Sequence, residues 1–152
     1  MYFVDRKQIE DRLQYMEQLG RIYNQIKDES TAGTQLALER LAHGWIEALI
    51  DVGNQMIDGF IMRDPGSYED IVDILEDERV LEAEVISRLK PLVAFRKKLV
   101  QEFTSIEFAE ISQVLEEAEP AVEKVSPSVR NYLEEELGPV SAFLPEEKDT
   151  KE

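Results

Sequence analysis

The sequence predicts an all-α protein, an antiparallel bundle of five to six helices. Three observations carry this. Apolar residues recur in steps of three and four over long stretches, the period of one helix face, as in Ile9, Leu13, Met16, Leu19, Tyr23 and Ile26. No stretch shows the convincing apolar–polar alternation of a half-buried strand, and no internal repeat is present. Turn signals such as Arg63-Asp-Pro-Gly and Gly138-Pro139 fall between the periodic stretches, where a bundle needs its connections.

In chain order, Asp5 is placed to cap a first helix, with Gln8 three residues on as its capping-box partner. The polar segment 28–34 is too short for a domain linker and leads into a long second helix, about 34–62. Ser67 and Asp70 open a shorter third helix that runs to about Glu78. A central helix is expected over 82–103, bent at Pro91, which lacks the N–H for one backbone bond. A fifth helix is expected over 108–117. A last one opens at Ser126-Pro127 and closes at Gly138-Pro139. A single domain over 1–144 and a disordered Glu/Lys-rich tail over 145–152 complete the expected organisation.

Composition narrows the function. Acidic residues outnumber basic ones 33 to 17, for a net charge of −16, so long-range attraction to a phosphate backbone is disfavoured and any nucleic-acid contact must be local. With no cysteine and one histidine, His43, thiolate and His-rich metal cages are excluded, and neither a metal nor a cofactor is expected. The absence of cysteine, of a long apolar run and of a signal-peptide pattern points to the cytoplasm rather than a membrane.

The central stretch holds an anomaly. Val85, Leu89, Leu92, Leu99 and Phe103 mark one apolar seam, and Arg96 falls on it. A guanidinium keeps its charge inside a protein, so a buried Arg96 needs an acid or several hydrogen bonds. The second helix offers them. Arg40, His43, Glu47, Asp51, Asn54 and Asp58 fall in one narrow sector of a helix that is otherwise apolar or small. This stripe is either that helix's wet edge or the lining of an internal polar cleft, with Glu47 or Asp51 pairing Arg96.

Phe95-Arg96-Lys97-Lys98-Leu99-Val100-Gln101-Glu102-Phe103 resembles the signature of HepT-like proteins of the HEPN superfamily, commonly written Arg-Asn-x-Leu-Val-His-x-Tyr. Leu38-Glu39-Arg40, Glu47, Asp51-Val-Gly-Asn54, Pro65-x-Ser67-Tyr68, Ile74-Leu75 and Arg88-Leu89 fit the same layout, and the likeness covers roughly residues 5–118. The resemblance implies a helical homodimer whose motifs meet across the two-fold axis. It also implies a metal-independent ribonuclease serving as the toxin of a two-gene module. The partner it implies is a nucleotidyltransferase antitoxin that silences the toxin by attaching nucleotide to the motif tyrosine.

The chain departs from that pattern at its chemistry. Arg96 keeps the motif arginine, but Gln101 stands at the histidine position, Phe103 at the tyrosine position and Lys97 at the asparagine position. Glutamine cannot take or give a proton while a 2′-hydroxyl attacks, and phenylalanine has no hydroxyl to modify. Two expectations follow from the resemblance with these losses. The first is a homodimer with lost or weak ribonuclease activity that binds a nucleotidyltransferase, a nucleotide or RNA. The second is an active ribonuclease in which His43 or water stands in for the motif histidine. A third reading, independent of RNA, is a helical assembly protein in which Arg96 fixes dimer register. Lys97 and Lys98 read as a solvated helix face, and Tyr68 and Trp45 as core or interface residues.

Overall fold

The computed structural model describes residues 3–138, and the tail expected over 145–152 lies outside them. Six helices follow one another: α1 (Arg6–Ile26), α2 (Ala32–Gly59), α3 (Tyr68–Asp77), α4 (Ala83–Ala94), α5 (Arg96–Gln101) and α6 (Phe108–Leu137). The described residues contain no strand. Both expected capping oxygens are used: Asp5 accepts the Gln8 N–H and Ser67 the Asp70 N–H, each at 3.0 Å. The reciprocal half of the capping box at Asp5 is not made, because the Gln8 side-chain oxygen accepts from Gln55 instead.

The core is a single apolar cluster to which every helix except α5 contributes buried side chains. Helix α2 runs through its middle. Trp45, Ile46, Leu49, Val52 and Met56 are buried there, and the Trp45 indole N–H donates to the Met16 carbonyl of α1 at 3.0 Å. Helices α1 and α6 pack on α2 and on each other, while α3 and α4 close the remaining side. On the α1–α6 side, Arg130 of α6 clasps Glu10 at 2.8 Å and Glu17 at 2.7 Å, both on α1. That hydrogen bond holds the Glu10 carboxyl below the usual carboxylate range.

Two expected helix boundaries are corrected. The central helix does not run unbroken from 82 to 103, because it breaks at Phe95. Pro91 has no N–H to give the turn before it, and the Phe95 N–H is shared between the Pro91 and Leu92 carbonyls, both at 3.1 Å. That tightened turn ends α4, and α5 restarts at Arg96. The two helices expected over 108–117 and from 126 are instead one 30-residue α6, with Pro120 and Pro127 inside it. Both prolines sit on the exposed side, where carbonyls that lose their helical partner meet water. The opposite face, Ile111, Leu115, Ala118, Val122, Val125, Val129 and Leu133, is buried throughout and holds the helix together across them.

Candidate functional site

The break at Phe95 decides where Arg96 goes. Because α5 restarts there, the helical count that placed Arg96 on the apolar seam does not carry across the junction. Arg96 emerges half-buried, its side chain 27% exposed, at the first position of α5. Its Nε donates to Glu47 Oε2 of α2 at 2.6 Å, and its guanidinium carbon lies 4.5 Å from the centre of the Tyr68 ring of α3. The Glu47 bond holds the Arg96 proton more firmly than usual. Of the two expected acidic partners, Glu47 is therefore the one taken. Asp51 is engaged instead by Arg12 of α1, whose Nε donates to its Oδ2 at 2.6 Å.

His43 joins the same carboxylate. One helical turn before Glu47, it places Nε2 at 3.5 Å from the same Glu47 Oε2. The histidine is neither walled in nor fully solvated, with 38% of its side chain exposed, and Glu47 is 45% exposed. The stripe on α2 is thus a wet edge and not an internal cleft. Arg40 is exposed and Asn54 half-buried, and among the described residues neither bonds to the His43–Glu47–Arg96 group. Gln101 ends α5 and is exposed, and Phe103, 65% exposed, projects just beyond it.

Other parts of the fold hold these pieces in place. Arg63 clasps Asp70 with two hydrogen bonds, at 2.8 and 3.0 Å, and the Gly66 N–H donates to the same carboxylate at 2.8 Å. The Asp70 carboxyl is accordingly pulled down to about 2, chiefly by the Arg63 bond. These bonds pin the turn that delivers Tyr68. On the other side, Lys98 pairs with Glu110 at 2.9 Å, so it is not the freely solvated lysine expected from sequence. The Gln35 side chain donates to the Ile106 carbonyl at 2.8 Å, which ties the α5–α6 connection to α2.

Tyr68 is the site residue that sequence reasoning missed. It reads as core or interface; at 45% exposure it is not core, and it lies against Arg96. Only its place beside the Ser67 cap, in a turn matching the HepT-like layout, could have flagged it. Trp45 is core, as expected. A surface cleft of about 240 Å³ lies elsewhere: Met16, Gly20 and Asn24 of α1 and Val122 of α6 line it. The candidate site is an open surface arrangement of one guanidinium, one carboxylate, one imidazole and one phenol ring. Among the described residues, no three His, Cys, Asp or Glu side chains group as metal ligands would.

A profile of the HepT-like ribonuclease family matches residues 12–129. The chain belongs to this family. A Bacillus subtilis (strain 168) protein described as "Putative RNase YutE" is 46% identical over 143 residues, which is 94% of this chain and 99% of the relative. A solved structure of YutE, described there as a cytosolic protein of unknown function, superposes with a TM-score of 0.85 at 45% identity. It covers 94% of this chain and all of that one. A toxin–antitoxin crystal structure with AMP-PNP matches with a TM-score of 0.74 over 82% of this chain and 98% of its own. At 15% identity that match shows a shared fold alone.

Proposed function

We propose that this HepT-like chain is the ribonuclease-type half of a toxin–antitoxin module, with Arg96 receiving the RNA phosphate and His43 as its titratable group. The observation that carries this is the shared carboxylate: Arg96 Nε and His43 Nε2 meet the same Glu47 oxygen, at 2.6 and 3.5 Å. Cleaving RNA without a metal requires a group that accepts the 2′-hydroxyl proton and a cation that balances charge on the phosphate. Imidazole and guanidinium supply these roles; Glu47 holds the guanidinium by a hydrogen bond and lies 3.5 Å from the imidazole. Glu47 also competes with the phosphate for Arg96, and Gln101 adds no proton transfer, so cleavage is weaker than at a site bearing the motif histidine. No cofactor is needed for this chemistry.

A second reading has a specific observation behind it. Gln101 is exposed but cannot titrate, and Phe103 presents a ring without a hydroxyl. On that reading the chain acts by binding, as a homodimer with a nucleotidyltransferase partner, and RNA or a nucleotide is bound without being cut. The exposed Val100 and Phe103 beside Arg96 are apolar surface of the kind a second copy would cover. That the distant structural neighbour is a toxin–antitoxin structure supports an antitoxin partner, and the cytosolic description of YutE supports a cytoplasmic site of action. No described helix is long and apolar enough to cross a membrane.

Induced expression separates the readings. Growth arrest with RNA degradation, abolished by Arg96→Ala and by His43→Ala, supports the ribonuclease. A silent wild type that becomes toxic as Gln101→His supports the binding reading. Light scattering on the purified chain tests the homodimer, and co-purification with the neighbouring gene's product tests the partner.

A further inference from the structure

The Arg96 guanidinium is engaged twice within the chain. Nε is held by Glu47 at 2.6 Å, and the guanidinium carbon lies over the Tyr68 ring, 4.5 Å from its centre. Among the described residues the two terminal nitrogens, Nη1 and Nη2, donate no hydrogen bond. The three residues come from three different helices, α5, α2 and α3, so the grouping is built by the fold and not by neighbours in sequence.

Each contact removes a different freedom. The carboxylate at Nε holds one edge of the guanidinium, and the ring against its central carbon limits how far the group can swing about that bond. A cation–π contact with a ring also takes no N–H donor into an ion pair, as a second carboxylate would. The result is an arginine whose Nη edge is oriented and unspent, the arrangement that matches two oxygens of one phosphate. The placement of Tyr68 is itself rigid, because the Arg63–Asp70 and Gly66–Asp70 bonds hold the turn before it. Packing alone gives a weak account of this aromatic, since nearly half of it stays in water.

We infer that Tyr68 is a positioning residue that sets the plane of Arg96, so that its Nη edge forms a two-pronged receptor for one phosphate of an RNA strand. The purpose rests on the ribonuclease-type reading; the positioning does not.

Two measurements on the full chain keep these apart. The first is side-chain NMR of Arg96, with its Nε–Hε signal assigned by its loss in Arg96→Lys. Restricted rotation at the guanidinium is expected in wild type and Tyr68→Phe, and faster averaging in Tyr68→Leu. The second is fluorescence anisotropy with a fluorescein-labelled single-stranded RNA decamer. Tyr68→Phe should bind within about twofold of wild type, and Tyr68→Leu about five- to tenfold more weakly, approaching Arg96→Ala. Unchanged Arg96 averaging in Tyr68→Leu overturns the inference, as does a Tyr68→Phe variant as impaired as Tyr68→Leu. If wild type binds no RNA while the NMR effect and its rescue by phenylalanine hold, the positioning stands and the RNA reading falls.

Discussion

Gly53 of α2 meets Ile71 of α3 so closely that a Cβ at residue 53 would lie 2.3 Å from Ile71 Cγ2. Isoleucine is branched at Cβ, which carries this methyl and fixes its rotamer, so the methyl cannot swing aside cheaply. The close approach sets the spacing of α3 against α2, and through α3 the distance from Tyr68 to Arg96. Gly53→Ala should therefore lower stability by about 1–3 kcal/mol despite the better helix propensity of alanine. Urea unfolding checks the magnitude. The same variant should also weaken the Tyr68–Arg96 contact, visible as faster averaging of the Arg96 guanidinium signals.

Glu47 is predicted to divide binding from cleavage. Glu47→Gln keeps an oxygen near Arg96 Nε but removes the charge that competes with phosphate. RNA affinity should rise by about twofold to fivefold, while the cleavage rate falls at least about tenfold because His43 loses its charged orienting group. Anisotropy and single-turnover cleavage on the same preparations measure the two effects. Both moving in the same direction would count against the shared-carboxylate site.

Acid should unlock the turn before α3. The Asp70 carboxyl titrates near 2 in the folded chain, below the value of about 3.9 for a free aspartate. A depressed carboxylate contributes stability at pH values above its unfolded pKa and loses it as pH falls through the folded one. Arg63→Gln should therefore melt below wild type at pH 6. The gap should close progressively from about pH 4 down to about pH 2. Paired thermal melts across that range read it directly.

Two helix ends carry side chains where glycine would be easier. Ile61 and Arg79 both have positive φ, 58° and 64°. In each case the next residue's N–H reaches back five residues, Met62 to Ile57 and Val80 to Leu75, which is the hydrogen bonding of a left-handed helix stop. Ile61 is β-branched and largely exposed, so it gives back little burial for the strain. Ile61→Gly should raise stability by about 1 kcal/mol, measured by chemical denaturation.

The fold class, the first three helices and the capping oxygens of Asp5 and Ser67 were legible because they depend on local signals: apolar period, a capping oxygen, a Pro-Gly turn. The misjudged boundaries depend on what lies across the core. Pro120 and Pro127 read as interruptions, but the buried side of α6 outweighs two lost backbone bonds that face water. At Pro91 the opposite happens, and the helix ends three residues later, at Ala94. Residue spacing could not separate these cases, because the proline itself looks the same in both. The site divides in the same way. Glu47 as partner of Arg96 was readable from the stripe on α2, as one of two candidates. The diversion of Asp51 to Arg12 and the contact with Tyr68 depend on three-dimensional neighbours far away in sequence, which no helical period reports.

Helix α5 brings no buried side chain to the core, and it hangs between a tightened turn at Phe95 and a connection pinned through Ile106. Its attachment to the body of the protein is made by ion pairs and the partly buried Leu99. The cost of releasing so short a segment is far smaller than that of unfolding the bundle. Heat, salt or acid should thus disassemble the arginine–carboxylate grouping while α1, α2 and α6 remain folded. A sample could look intact by circular dichroism and still have lost its site.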